Sequence, residues 1–303
     1  MRRYRYLTGD VFTDVLFGGN PLAVLPAASG LSAAEMQALA REFNYSETTF
    51  VLPPEDPSHT RRVRIFTPSR ELPFAGHPTV GTAVLLAHAG ELALTGEATE
   101  IVLEEGVGPV PVRIFAEQGQ AVAAELTTAR LPEQGPPPPE GVAEMLGLSA
   151  DDLAPGAPPE AWSCGVPFLI VPVRDRAVLA RAAPVVERWR TLLSQWWAAE
   201  VLVVCRDPER PGSHLRARMF APAMGIGEDP ATGAAAAALA GQLAAEVAGD
   251  GSFAWRMEQG FEMGRPSLLE IAVDKHAGAI SAVRVGGRVV PVCEGSLTLP
   301  AAS

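Results

Sequence analysis

The chain has 303 residues, a formal net charge of −11, and 48% hydrophobic against 19% charged residues. This length suits two domains of about 150 residues, and the composition is that of a globular protein. The negative charge disfavours nucleic-acid binding, which needs a basic surface. No apolar run reaches the roughly 18 residues that span a bilayer, and nothing after the basic residues 1–6 resembles a signal peptide, so we expect a cytoplasmic protein without a membrane partner.

Scarce nucleophiles and ligands exclude several kinds of chemistry. Lys275 is the only lysine, and its sequence context predicts a surface turn, which disfavours pyridoxal phosphate and Schiff-base enzymes. The three cysteines, Cys164, Cys205 and Cys293, form no CxxC pair and are predicted to be buried, inert thiols. The five histidines follow no metal-binding spacing, and neither a P-loop nor a complete GxGxxG is present. We therefore expect neither a metal nor a cofactor.

In the first half, helical and strand patterns alternate before a linker. A helix over 32–43 is predicted by Ser32 as N-cap and Glu35 three residues later. Residues 79–89 are almost wholly apolar and predict a helix that is buried on all sides. Strands are predicted at 11–12, 22–25, 50–52, 63–66, 101–103, 110–115 and 121–126.

The second half repeats this organisation after residues 131–140, whose four consecutive prolines predict an extended linker. A helix is predicted over 184–197 and a second buried, alanine-rich helix over 231–248. Strands are predicted at 169–173, 201–205, 268–273, 279–285 and 288–292. Many strands with few helices predict an α+β fold.

An internal repeat relates the two halves. The pattern R-x-F-x-P, a short loop and [H/D]-P-x-x-G-x-A begins at Arg64 and again at Arg218. Upstream, the segments 46–51 and 19–24 align with 199–204 and 165–170. Four aligned segments in the same order, at offsets of 146 to 154 residues, predict a duplicated fold.

His77-Pro78 and Asp229-Pro230 are predicted to begin the two buried helices. Proline suits the first helical position, so Asp229, and His77 by analogy, are predicted as N-caps. A helix start presents free N–H groups and partial positive charge to an anion such as a carboxylate. Gly81 and Gly233 are expected to let a ligand approach the backbone, and the alternative is close packing against a strand. Facing helix starts would bring His77 and Asp229 over one substrate.

Glu47 is the third candidate, since it stands where a helix has ended and an apolar strand begins. Burial is expected to raise the pKa of its carboxyl group and make it a usable general base. The alternative is a solvent-facing glutamate at the strand edge. Its repeat counterpart, Glu200, lacks the polar neighbours and is expected to be structural.

Several of these segments resemble the PhzF-like family of phenazine biosynthesis. The resemblance rests on residues 10–13 and 19–24, Asn44–Thr48, Phe74–Thr79, Glu228–Gly233, Gln259-Gly260 and 263–267, and it spans essentially the whole chain. It implies two pseudo-symmetric diaminopimelate-epimerase-like domains, each with a curved, mostly antiparallel sheet around a central buried helix. The expected domains are 1–130, which the final strand near 286–300 would join, and 131–285. It also implies a homodimer.

The resemblance further implies a cofactor-independent isomerase. Glu47 would be the general acid/base in the interdomain cleft, and His77 and Asp229 would assist as catalytic residues. The substrate-binding set would comprise Asn20, Ser46, Gly76, Gly233 and Ala234, with the glycines and neighbouring amides around a substrate carboxylate. Many family members carry serine where this chain has Ala234, so a hydroxyl donor is absent.

Three functions follow for this cleft. The first is an isomerase that moves a proton on a small carboxylated substrate. The second is an epimerase or other proton-transfer enzyme acting on a different small acid, although no cysteine stands at either helix start for a two-thiol mechanism. The third is a non-catalytic small-carboxylate binding protein.

Overall fold

A computed structural model describes residues 1–222 and 225–301. They form two compact units, Met1–Ala129 together with the segment that begins at Gly286, and Arg130–Val285. Both units combine strands with few helices, so the chain is α+β, as its pattern predicts. That the two units share one active site stays a prediction.

The first unit contains eight strands and two helices before its linker. They are β1 (Arg2–Val11), β2 (Asn20–Leu25), α1 (Ala33–Phe43), β3 (Glu47–Leu52), β4 (Arg61–Phe66), β5 (Glu71–Leu72), α2 (Gly76–His88), β6 (Ala98–Glu105), β7 (Gly108–Glu117) and β8 (Gln120–Thr127). Helix α1 begins with the predicted capping box of Ser32 and Glu35, which is confirmed.

Helix α2 is the buried element of this unit. Every residue from Gly76 to Ala87 is buried, which confirms the expectation from its apolar sequence. Strand β2 pairs with β1 antiparallel and with β3 parallel, and β3 pairs with β4 antiparallel. Strand β4 then runs parallel to β6, which continues antiparallel into β7 and β8. These pairings place the amino ends of β2 and β3 side by side.

The described part of the second unit carries four α-helices and the remaining strands. They are β9 (Glu133–Gln134), α3 (Val142–Met145), β10 (Glu160–Ser163), β11 (Pro167–Pro172), α4 (Arg176–Arg181), α5 (Val186–Leu193), β12 (Glu200–Cys205), β13 (Leu215–Ala221), β14 (Ile226–Asp229), α6 (Gly233–Glu246), β15 (Gly251–Gln259), β16 (Ser267–His276) and β17 (Ala279–Leu299). Strand β17 passes into the first unit at Gly286 and pairs there with β1.

Strand pairing in the second unit follows a similar order. Strand β11 runs parallel to β12, β12 is antiparallel to β13, and β13 runs parallel to β15. Helix α6 is alanine-rich and buries eleven of its fourteen residues, as predicted. Small side chains let strands pass close to it: a Cβ on Gly241 would lie 2.3 Å from the Trp162 ring.

Several local predictions are wrong in their bounds. The helix predicted over 184–197 is shorter, since α5 ends at Leu193. The strands predicted at 279–285 and 288–292 are one continuous strand, β17.

Lys275 lies in β16 rather than in a surface turn. Its Nζ donates to Ala244 O at 3.0 Å and Val247 O at 2.7 Å, where it satisfies carbonyls at the end of α6. Of the cysteines, Cys205 is buried as predicted, Cys164 is half-buried, and Cys293 is exposed, contrary to the prediction.

Candidate active site

Glu47 is the first residue of β3 and is 8% exposed. Helix α1 ends at Phe43, and Asn44, in the left-handed region at φ 53°, turns the chain toward the strand. Glu47 then pairs in register with Leu22 of β2. The carboxyl group is therefore carried into the unit by a buried strand, and the alternative of a solvent-facing glutamate is wrong.

His77 lies inside the first turn of α2. The helix begins at Gly76 and its N-cap is Ala75, so the prediction of His77 as N-cap is wrong by two residues. Proline at 78 still falls in the first turn, where its missing N–H costs nothing. His77 is 5% exposed, and this burial lowers the pKa of its imidazole to about 3. The ring is therefore neutral at physiological pH.

The structure brings Glu47 and His77 together. Glu47 Oε2 lies 3.2 Å from His77 Nε2, although the angle of approach is not yet that of a hydrogen bond. Such loose alignment is common in unliganded active sites and tightens when substrate binds. A neutral imidazole can donate a hydrogen bond to a carboxylate or accept one from a carboxylic acid, so His77 can orient Glu47 in either protonation state.

A buried hydroxyl pair holds the two elements in this arrangement. Thr49 Oγ1 on β3 lies 2.8 Å from Thr82 Oγ1 on α2. Thr49 is two residues after Glu47 on the same face of the strand. This bond joins the strand that carries Glu47 to the helix that carries His77.

The remaining first-unit candidates lie close in sequence to this pair. Asn20 is fully buried at the start of β2, two residues before the partner of Glu47. Ser46 is half-buried and immediately precedes β3. Gly76 is buried as the first residue of α2. No side chain caps α2 within the described chain, and a helix leaves its first N–H groups without intrahelical partners.

Asp229 occupies a different position from the one predicted. It is the last residue of β14, pairs with Met219, and is 7% exposed. Helix α6 begins at Gly233 and its N-cap is Thr232, so the prediction of Asp229 as N-cap is wrong. Thr232 Oγ1 donates to Asp229 Oδ2 at 2.5 Å. The aspartate therefore packs against the helix start from outside it.

Gln259, fully buried at the end of β15, completes this second-unit arrangement. Its Nε2 donates to Asp229 O at 2.8 Å and to Thr232 Oγ1 at 3.0 Å, and its Oε1 accepts from Thr232 N at 3.2 Å. Gly233 is the first residue of α6, and Ala234 follows it half-buried. The helix itself has no side-chain cap within the described residues.

Gly81 serves packing rather than ligand approach. A Cβ there would lie 2.5 Å from Val11 Cγ2 and 2.6 Å from Leu22 Cδ2. Because side chains of β1 and β2 press this closely on α2, a larger residue at this position would force Val11 and Leu22 to shift. The expectation of ligand approach at Gly81 is therefore wrong.

Cys164 contacts the buried helix α6, although it does not lie at the start of that helix. Cys164 Sγ donates to Ala237 O at 3.2 Å, in the first half of the helix. Burial raises the pKa of Cys164 to about 12 and that of Cys205 to about 11. Both are thiols rather than thiolates at neutral pH, so neither is an activated nucleophile.

Sequence reasoning missed four polar residues that surround the helix starts: Thr49, Thr82, Thr79 and Glu105. Gln259 was noted only as part of a motif. Extending the internal repeat by one strand aligns Glu105-Gly106 with Gln259-Gly260 and would have drawn attention to Glu105 and Gln259. Within residues 1–222 and 225–301, no three His, Cys, Asp or Glu side chains are placed to hold a metal ion. No helix in the same residues is long and apolar enough to cross a membrane.

Comparison with known proteins gives matches over almost the whole chain. Residues 9–295 match the model of a family described as phenazine biosynthesis-like protein. An uncharacterized isomerase of Mesorhizobium japonicum is 42% identical, over 98% of this chain and 99% of its own. A trans-2,3-dihydro-3-hydroxyanthranilate isomerase of Pseudomonas aeruginosa is 34% identical, over 96% of this chain and 98% of its own.

A solved structure shares the fold. The phenazine biosynthesis protein of Bacillus anthracis, of the PhzF family, superposes with a TM-score of 0.89 at 27% identity, over 99% of this chain and all of that one. The family model and the two relatives extend far beyond half of the chain. The chain therefore belongs to the phenazine biosynthesis-like family, and it is a PhzF-like isomerase.

Proposed function

We propose that this isomerase moves a proton on a small carboxylated substrate, with Glu47 as the general acid/base and no cofactor. The observation that carries the proposal is the buried contact of 3.2 Å between Glu47 and His77. Glu47 takes a proton from one substrate carbon, and the pair of side chains returns a proton to another. Asp229 of the second unit assists this transfer.

The neutral state of His77 supports this division of roles. An imidazole with a pKa of about 3 does not form a charged pair with Glu47, so it does not stabilise the carboxylate by ionic attraction. It can instead orient the carboxyl group by donating or accepting a hydrogen bond when the substrate is bound.

The helix starts support a carboxylate site. Among the residues that the structure describes, no side chain caps α2 or α6, so backbone N–H groups near Gly76 and Gly233 suit an anion. The partial positive charge of a helix N-terminus favours the same occupant. We propose that these amides, with Asn20, Ser46 and Ala234, form the walls around the substrate carboxylate and its ring.

Ala234 bears on the substrate. The relative named above acts on trans-2,3-dihydro-3-hydroxyanthranilate, as its name states, and this acid is the first compound to test. The resemblance places a serine hydroxyl where this chain has the methyl group of Ala234, half-buried beside the start of α6. A site built for a hydrogen bond and one without it discriminate strongly between substrates. We therefore favour a different small acid as the physiological substrate.

The test measures deuterium incorporation from heavy water into a panel of small cyclic acids, beginning with trans-2,3-dihydro-3-hydroxyanthranilate. We expect Glu47→Gln to reduce incorporation by about 10²-fold or more, since general acid–base catalysis contributes that much. Glu42→Gln, at an exposed site on α1, is the matched control and should leave the rate unchanged. Full incorporation in folded Glu47→Gln protein would remove Glu47 from this role.

Two other functions are separated by the same assay. An epimerase would exchange deuterium at the carbon next to the carboxylate and return a mixture of stereoisomers without moving a double bond. The absent hydroxyl at Ala234 is the observation that favours such a different acid. A non-catalytic binding protein would be stabilised thermally by carboxylates and exchange deuterium into none of them.

A further inference from the structure

Glu105 is a buried acid for which the proposed proton transfer has no use. It is the last residue of β6, is 8% exposed, and contacts Thr79 in the first turns of α2. Its second oxygen, Oε2, has no hydrogen-bond partner within the described chain. Burial of an ionised carboxylate with so few partners would be very costly, which raises the question of its charge.

Counting protons around Thr79 answers that question. Thr79 Oγ1 lies 2.8 Å from Ala75 O and 2.6 Å from Glu105 Oε1. A carbonyl oxygen only accepts, and a hydroxyl group has one proton to donate. If that proton goes to Ala75 O, the short contact with Glu105 needs a second proton, and the carboxyl group must supply it. Ala75 O also accepts from Thr79 N at 3.2 Å. A protonated Glu105 satisfies both contacts of the Thr79 hydroxyl group, whereas an ionised one leaves two acceptors competing for its single proton.

The second unit contains an uncharged counterpart of this side chain. In the backbone register of the first unit, Arg62 of β4 lies opposite Glu104 of β6. In the second unit, 154 residues further along, Arg216 of β13 lies opposite Glu258 of β15. The two glutamates even make the same contacts. Glu104 accepts from the N–H groups of residues 55 and 56, and Glu258 accepts from those of residues 209 and 210. The next residues are Glu105 and Gln259.

The backbone after these two side chains is also alike. A Cβ on Gly106 would lie 2.7 Å from Pro73 Cα, and one on Gly260 would lie 2.6 Å from Pro230 O. Each strand end is thus pressed against a proline that precedes a buried helix. Gln259 uses its amide to donate to Thr232 Oγ1 at the start of α6. A protonated glutamate has the same shape as glutamine and can donate in the same way.

We propose that Glu105 keeps its proton at neutral pH and, by donating it to Thr79, holds the first turn of α2 so that His77 stays beside Glu47. The chain of donors runs from Glu105 to Thr79 and from Thr79 to Ala75 O, the residue before Gly76. Glu105 touches no reacting atom, so it is a positioning residue. Its effect on catalysis rests on the proposed function, but its protonation does not.

The surrounding charges agree with a neutral Glu105. Opposite it on β7 is Gly108, which brings no charge, and the titratable side chains of α2 are His77 and His88. The charged groups lining the pocket next to Glu105 have other partners: Arg62 pairs with Glu55, Arg64 with Glu71 and His59 with Glu104, and Asp56 accepts from the Ser58 hydroxyl group. Burial then raises the pKa of Glu105 to about 8.

Infrared spectroscopy of the whole chain tests the protonation directly. We expect the carbonyl band of a protonated carboxylic acid at pH 7, absent from Glu105→Gln and lost from the wild type with a midpoint near pH 8. Glu100→Gln, at an exposed site on the same strand, is the control and should keep the band. A wild-type spectrum that Glu105→Gln leaves unchanged at pH 7 would overturn the proposal.

Deuterium exchange tests the positioning role. We expect the wild-type rate to decline above pH 8, where Glu105 loses its proton. Glu105→Gln should retain the rate at pH 7 and show no such decline, because its amide donates at every pH. Glu105→Leu, which cannot donate, should lower the rate about 10- to 100-fold at every pH, as a misplaced group does. The same decline in Glu105→Gln as in the wild type refutes positioning by this proton. A wild type that shows the infrared carbonyl band but incorporates deuterium into none of the acids would refute only the proposed function, and the protonation of Glu105 would stand.

Discussion

The pH dependence of stability between pH 6.5 and 8 offers a quantitative check on Glu105. Its pKa is about 8 in the folded chain, against 4.5 for an ordinary glutamate. Between these values the folded state retains a proton that the unfolded state has released. Stability must therefore fall as pH rises through this window, by about 1.4 kcal/mol for each pH unit.

The upper part of the window isolates this residue from His77. Burial lowers the pKa of His77 from 6.5 to about 3, so the histidine affects stability only where the pH lies below about 6.5. From there to pH 8 the contribution of Glu105 alone amounts to about 2 kcal/mol. Glu105→Gln removes it, because an amide does not titrate.

Urea unfolding of the wild type and Glu105→Gln at pH 6.5 and pH 8 measures this contribution. We expect the difference in unfolding free energy between the two proteins to change by about 2 kcal/mol, in favour of the variant at the higher pH. This corresponds to a relative shift in midpoint on the order of 1 M urea. Glu100→Gln should track the wild type. A difference that is the same at both pH values would refute the reasoning.

Two further predictions concern the same helix. Gly81→Ala gains about 1 kcal/mol of helix propensity but forces a methyl group onto Val11 and Leu22. We expect the free energy of unfolding, measured by denaturant titration, to fall by about 1 kcal/mol. A stabilised variant would contradict the close packing of Gly81. Nitrogen NMR should show that His77 stays neutral down to pH 4. Because burial lowers its pKa, the free energy of unfolding should fall as the pH falls from 6.5 toward 3. An imidazole that titrates near 6.5 in the folded chain would contradict its burial.

Features set by neighbouring residues could be predicted from the sequence. The capping box of Ser32 and Glu35 depends on contacts within four residues, and it forms as expected. The uniformly apolar stretches after His77 and Asp229 predicted two buried helices, since such a helix has no face to offer to water. The motifs also sufficed to identify the family, because they are distributed along the whole chain.

Helix boundaries show where local rules fail. Proline is only a preference at the first helical position. At Asp229 the backbone pairs with Met219 and so remains in a strand, which moves the start of α6 to Gly233. Met219 lies ten residues away in another strand, so its pairing with Asp229 could not be predicted from the dipeptide Asp229-Pro230.

The chemistry of the site was decided by tertiary structure. The contact between Glu47 and His77 joins residues thirty positions apart, and Thr49 and Thr82 form a second contact between the same strand and helix. The protonation of Glu105 and the neutrality of His77 follow from the loss of water around each group. The sequence determines which residue types are present and which segments are apolar. The burial of a side chain and its distance from other side chains depend on how distant segments pack together. The pKa of a group responds to this three-dimensional environment rather than to its neighbours in sequence.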